Sequence, residues 1–209
     1  MLYIFDWDGT LSDSLDRISN SLERAFEEVG LDVFDVEKRK SVVGLGLEEA
    51  FLALHPDLDN HQLQRLAQAY RSHYLALDTE FPSPLFEGAM SVLNSLKKDG
   101  HKLAVATGKT RRGLDRIFNH MHLENFFDSS RCADETCSKP HPLMLEEILA
   151  ETKSSAEDSV MVGDTDFDVL MARHAGVGAV AVTYGAHPLE RLTKAGPHRL
   201  IDRLEELLD

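Results

Sequence analysis

Asp6 and Asp8 stand two residues apart in Asp6-Trp7-Asp8-Gly9-Thr10-Leu11. In an extended segment that spacing sends both side chains out on the same side. Two carboxylates so placed repel, and a metal ion or a shared proton is needed to keep both there. Gly9 then allows a tight turn away from them. An Asx-rich turn closing a strand would account for the same residues. A second acidic group occurs in Gly163-Asp164-Thr165-Asp166-Phe167-Asp168. Asp164 and Asp168 are four apart and can face the same way across a helix's first turn, where carboxylates favour the N-terminus. An N-cap accounts for one of them, but not for an acidic cluster immediately beyond a strand aimed at the others.

Thr107-Gly108-Lys109-Thr110 resembles the tail of a phosphate-binding loop, but that loop needs a glycine five residues before Gly108. Leu103 stands there, so a nucleotide-triphosphate loop is rejected. What remains is a hydroxyl and backbone N–H groups at a strand end, either a modest anion site or a plain turn. Lys139, in Ser138-Lys139-Pro140-His141-Pro142, belongs to a loop leading into a helix. It could reach an anion; taken alone, a solvated lysine is the simpler reading.

Elements must bring these residues together. Leu2–Phe5 runs into Asp6, Leu103–Ala106 into Thr107, and Val160–Val162 into Gly163-Asp164, while Val177–Val182 ends at Thr183-Tyr184-Gly185. Short, β-branched, near-continuous apolar runs suit strands buried on both faces. Between them Ala89–Leu96 (with Gly100 as a stop), Leu114–Met121 and Met144–Leu149 carry apolar residues at helical spacing. The alternation predicts a doubly wound parallel α/β sheet with helices on both faces. Ligands bind beyond the carboxyl ends of such strands, where Asp6, Thr107 and Asp164 all sit. Residues 14–82 break the pattern with two amphipathic helices, Leu15–Val29 and Leu63–Leu77, and with Pro82 and Pro84 at the return. They read as an all-helical insertion, leaving 1–13 and 83–209 as a discontinuous core. Leu200–Leu208 reads as an amphipathic closing helix.

The order of these motifs resembles the haloacid dehalogenase superfamily, in its phosphatase branch, along essentially the whole chain. Lys139-Pro140-His141-Pro142 and Pro84-Leu85-Phe86-Glu87-Gly88 are similar to the phosphoglycolate-phosphatase-like group. The resemblance implies a Rossmann-like core with a helical cap, and hydrolysis of a small phosphomonoester through an aspartyl-phosphate. By it, Asp6 is the nucleophile and Asp8 the general acid and base. Thr107, the Gly108 N–H and Lys139 hold phosphoryl oxygens. Asp6, the Asp8 backbone carbonyl and Asp164 ligate Mg²⁺, with Asp168 orienting ligands from behind. Phosphoglycolate is the leading substrate. A sugar phosphomutase and a pyrophosphatase are the alternatives; a non-enzymatic binding protein on the same scaffold is disfavoured by the intact residue set. Trp7 stands where Leu or Phe is more usual, and packing behind the strand suffices for it. Gly44-Leu45-Gly46-Leu47 is either a substrate-facing loop or a helix–helix turn. Arg17 and Lys109 are candidate substrate contacts, with surface charge the simpler reading for both.

Composition bounds the partners. The chain has 209 residues, 22 basic against 36 acidic, for a net charge of −14, which argues against nucleic acid and anionic membranes. The start shows no signal-peptide pattern, and no stretch is long and apolar enough for a membrane span. Cys132 and Cys137 are too few for a disulfide framework, and one such pair near His141 is a poor zinc site. A cytoplasmic enzyme acting on a small phosphorylated metabolite is expected.

Overall fold

The computed structural model describes residues 1–80 and 83–209. Strands β1 (Leu2–Phe5), β2 (Lys102–Thr107), β3 (Ser129–Cys132), β4 (Ser159–Gly163), β5 (Gly178–Val182) and β6 (Arg199–Ile201) form one sheet in the order β3-β2-β1-β4-β5-β6. Every pairing is parallel. The order reverses between β1 and β4, where a doubly wound sheet opens a crevice beyond its carboxyl edge. Phe5 is in register with Val105 on one side and Val162 on the other. Asp6, Thr107 and Asp164 therefore leave the sheet at neighbouring points of one edge.

The helices cover both faces. Phe5, Val105 and Val162 pack with α5 (Ala89–Lys98) and α6 (Arg111–Met121). Leu2, Ile4, Ala104 and Met161 point the other way, against α7 (Leu143–Thr152), α8 (Asp166–His174) and α9 (Leu189–Ala195). Trp7 is buried edge-on to Phe118 and Phe127, as expected for a residue packed behind the strand.

The segment after β1 is helical: α1 (Leu15–Val29), α2 (Val36–Lys40), α3 (Leu47–Leu54) and α4 (Asn60–Glu80). Gly30, at φ 79°, ends α1, and Asp35 caps α2 by accepting from the Lys38 N–H. Leu22, Phe26, Phe51 and Leu66 close a core of their own, separate from the two that flank the sheet. The chain thus has the Rossmann-like core and inserted helical cap expected from its sequence. Pro82 lies outside the described residues. Among the described residues no helix is long and apolar enough to cross a membrane.

Two elements differ from expectation. Ser129–Cys132 forms edge strand β3, although its sequence is polar; it has one neighbour and two partly exposed residues. Residues 200–208 are not one closing helix. Arg199–Ile201 pairs with β5, and a short 3₁₀ turn, Leu204–Leu208, follows. The His198 backbone N–H donates to the Ala179 carbonyl and Thr183 N–H to Ile201, so the segment is drawn onto the sheet edge before a helix can begin.

Candidate active site

Beyond β1 the chain turns sharply. Gly9 sits at φ +80°, and a Cβ there would lie 2.2 Å from Asp164 Oδ2. The position needs glycine both for its left-handed conformation and for this approach. The turn delivers the Thr10 hydroxyl to Asp164 Oδ1 at 3.0 Å, while the Ala186 N–H donates to Asp164 Oδ2 at 2.7 Å. Each Asp164 oxygen thereby accepts one hydrogen bond and keeps a lone pair.

Asp168 is fixed by the start of α8. Thr165 is the N-cap, and Asp168 Oδ2 accepts from the Thr165 N–H at 3.1 Å and from its hydroxyl at 2.6 Å. This is a capping box with aspartate in the third position. Its other oxygen accepts from Lys139 Nζ at 2.7 Å, and the same ammonium lies 2.8 Å from Asp6 Oδ1. Lys139 is only 2% exposed, so the solvated-lysine reading is wrong for it. Asp6 Oδ2 is buried with no hydrogen-bond donor.

Burial pushes the Asp6 carboxyl well above the usual carboxylate range; the Lys139 charge opposes this, and those of Asp168 and Asp164 add to it. Asp164 is pushed up to about 6, by burial first and by Asp168 second. Burial alone would lower the Lys139 ammonium, but Asp168 and Asp6 carry it above its ordinary value. Three buried carboxylates facing one ammonium leave two negative charges unanswered.

Asp8 points elsewhere. Its Oδ1 accepts from the Ser14 hydroxyl at 2.5 Å and meets Lys109 Nζ at 2.9 Å. Lys109 also donates to the Tyr74 hydroxyl of α4 at 3.2 Å. Surface charge is therefore the wrong reading of Lys109, which is largely buried between the sheet and the helical cap. Asp6, Asp8, Gly108 and Lys109 line a cavity of about 610 Å³, together with Tyr70, Tyr74 and Leu22 of the helical segment. Gly44 and Leu45 line it as well, so the Gly44–Leu47 segment faces the site. A Cβ on Gly108 would lie 2.4 Å from the Leu45 carbonyl oxygen, so the cap packs directly on this glycine.

Against known families, the model of haloacid dehalogenase-like hydrolases matches residues 3–182. The chain belongs to the haloacid dehalogenase-like hydrolases, in their phosphatase branch. Its relatives include "probable phosphatase IndB" of Dickeya dadantii, 31% identical over 99% of this chain and 91% of that protein. A phosphoglycolate phosphatase of Colwellia psychrerythraea is 29% identical over 98% of this chain and 94% of its own. Among solved structures, a haloacid dehalogenase-like family protein of Streptococcus pneumoniae superposes with a TM-score of 0.84 at 27% identity, covering 99% and 96% of the two chains.

In this hydrolase Asp6, Asp164 and Asp168 each bring one carboxylate oxygen within 4.8 Å of the others, and the buried triad can hold a metal ion. An all-oxygen donor set, an excess of two negative charges and an orphaned Asp6 oxygen suit a hard divalent cation. Asp8 is absent from that carboxylate group because its side chain is turned to Ser14 and Lys109. Thr107 is buried at the end of β2, and its hydroxyl accepts from the Lys109 N–H at 3.2 Å. Cys132 is buried and Cys137 exposed, both as free thiols. Sequence reading passed over Ser14, Thr10, Thr165 and Tyr74. Of these, Tyr74 had only a signal of amphipathic helix, and Ser14 only its place just ahead of one.

Proposed function

We propose that this phosphatase hydrolyses a small phosphomonoester, phosphoglycolate being the leading candidate, through a phosphoryl group carried on Asp6. The observation that supports the reading most is the Asp6 carboxylate itself. It lines the floor of the cavity at the sheet's switch point, with one oxygen paired to Lys139 and the other without a donor.

An Asp6 oxygen attacks phosphorus and the ester bond to the leaving oxygen breaks, while Asp8 gives that oxygen its proton. Water then attacks the Asp6-bound phosphoryl group, Asp8 takes the proton from the water, and the bond to Asp6 breaks. Lys139, the Gly108 N–H and Thr107 offset charge on the phosphoryl oxygens. Asp6, the Asp8 backbone carbonyl and Asp164 would hold Mg²⁺, and Asp168 would keep Lys139 and the ligands in place. When bound, Mg²⁺ supplies the positive charge that lets an anionic nucleophile approach an anionic phosphate. Residues 14–82 act as the cap over a core of residues 1–13 and 83–209, excluding water from the reacting centre.

The test is hydrolysis of an aryl phosphate with and without Mg²⁺. Activity that requires Mg²⁺ and vanishes in Asp6→Asn is expected. An inert wild type, or an Asp6→Asn variant with full activity, would overturn the proposal.

A further inference from the structure

We infer that His187 and Arg191 are positioning residues for the hydrolysis, latching the Ser41–Gly46 strap of the cap onto the core from behind the reacting groups. The inference rests on the reading of residues 14–82 as a cap over the Asp6 centre.

Of the acidic residues in Asp164-Thr165-Asp166-Phe167-Asp168, Asp166 has no part in the chemistry. Arg191 of α9 grips its carboxylate with two donors, Nε to Oδ2 at 2.7 Å and Nη2 to Oδ1 at 2.9 Å. The remaining guanidinium nitrogen, Nη1, donates to the Ser41 carbonyl at 3.2 Å. Phe167 braces both groups, with its ring centre 5.1 Å from Arg191 Cζ and its ring edge-on to His187.

His187 is buried and reaches the same carbonyl, its Nε2 lying 3.1 Å from Ser41 O. A carbonyl can only accept, so Nε2 carries the proton. On the other side of the ring, Nδ1 accepts from the Asp166 N–H at 3.0 Å. Protonation of Nδ1 would turn that contact to Asp166 Oδ1, 3.1 Å away, and would leave the Nε2 donation as it is. Ser41 is the C-cap of α2, and the last carbonyls of a helix have no partner within it. Two donors from the core converge on one of them.

The far end of the strap is held as well. The Gly46 N–H donates to the Ser138 hydroxyl at 2.7 Å, next to Lys139. Between the two anchors, Gly44 comes close enough to Thr165 that a Cβ on it would lie 3.2 Å from the Thr165 hydroxyl oxygen. Val42 and Val43 line the cavity. The strap therefore touches the loops that carry Gly108, Asp164 and Lys139. Ala186 ties the latch to the reacting end: its N–H holds Asp164 Oδ2, and its side chain packs on the cap core. Polar anchors suit a seam that opens to admit substrate, because water replaces each hydrogen bond when the cap lifts.

The experiment is hydrogen–deuterium exchange of the whole chain, read by mass spectrometry at residues 41–47, with kcat/KM on an aryl phosphate alongside. An Asn amide can stand in for Nδ1 of His187 and a Gln amide for Nε2, so the two replacements separate the two sides of the ring. His187→Asn and Arg191→Met should speed exchange at 41–47 about tenfold. They should lower kcat/KM by a similar factor, chiefly through KM, while His187→Gln stays closer to wild type in both. A ring that serves only the start of α8 gives the reverse order, with Asn tolerated and α8 exchange raised in the Gln variant. That order, or unchanged exchange at 41–47 in both His187→Asn and Arg191→Met, overturns the latch. Thermal unfolding accompanies each variant, and Arg191→Met, at a half-buried position, decides if the His187 variants unfold. A wild type that cleaves no aryl phosphate overturns the hydrolytic reading, and the exchange ranking alone then decides the latch.

Discussion

The two ends of the cavity are built differently. At the sheet end, Asp6, Asp164 and Asp168 are buried, and their hydrogen-bond and ion-pair partners come from strand ends, from the first turn of α8 and from the Lys139 loop. At the cap end, Lys109, itself paired to Asp8 within the core, meets Tyr74 across the junction of two packing units, each with its own apolar core. The first arrangement is fixed by the fold of the core alone. In the second, the Lys109–Tyr74 contact depends on the cap as well. Chemistry placed on a rigid sheet edge can stay constant, while recognition placed across a seam can change with a few helix residues.

Substitutions at the two ends should therefore fail in different ways. Asp6→Asn should lower kcat by at least about a thousandfold with little change in fold, read by steady-state kinetics and circular dichroism. Lys139→Met should lose both activity and stability, about 3–5 kcal/mol by denaturant titration, because it strands buried carboxylates. Gly9→Ala should cost about 2 kcal/mol, since it forces a side chain into a left-handed turn against Asp164, and metal titration should show weaker Mg²⁺ binding. At the cap end, Lys109→Met should lower kcat about tenfold and cost less stability than Lys139→Met, because it leaves one buried carboxylate, Asp8, which keeps the Ser14 hydroxyl as a donor. A Lys109→Met variant as unstable as Lys139→Met would remove the distinction between the two ends.

The smallest expected effect is on pH dependence. The Asp164 carboxyl is raised in the folded protein to about 6 from 3.8, so the metal-free native state holds protons more tightly than the unfolded chain. Its stability should rise as pH falls from about 7.5 to about 5 and decline again on return, because the cost of the buried charge is present above the folded value. With Mg²⁺ present the trend should reverse, since protons compete for the same oxygens. Thermal scans at both pH values, with and without Mg²⁺, measure this.

The sheet end was the legible part of the sequence. Asp6, Thr107 and Asp164 each follow a short apolar run of the kind that suits a buried strand, so their convergence follows from parallel topology. Edge elements were not legible. β3 carries Ser-Ser-Arg-Cys because an edge strand is only partly buried, and β6 is three residues long inside a segment whose leucines have helical spacing. Lys109 was misread for a different reason. Its environment is made by Tyr74, some 35 residues earlier in the chain, and an amphipathic helix pattern tells which residues are buried but not which loop they will meet.

The central claim is that Asp6 carries the phosphoryl group during turnover, and a rapid acid quench with labelled substrate tests it directly. Wild-type enzyme and Mg²⁺, stopped within the first turnover, should yield protein-bound phosphate that is released by hydroxylamine, maps to the peptide containing Asp6 and is absent from Asp6→Asn. Product release in the first turnover without protein-bound label, or label on any other residue, would contradict it.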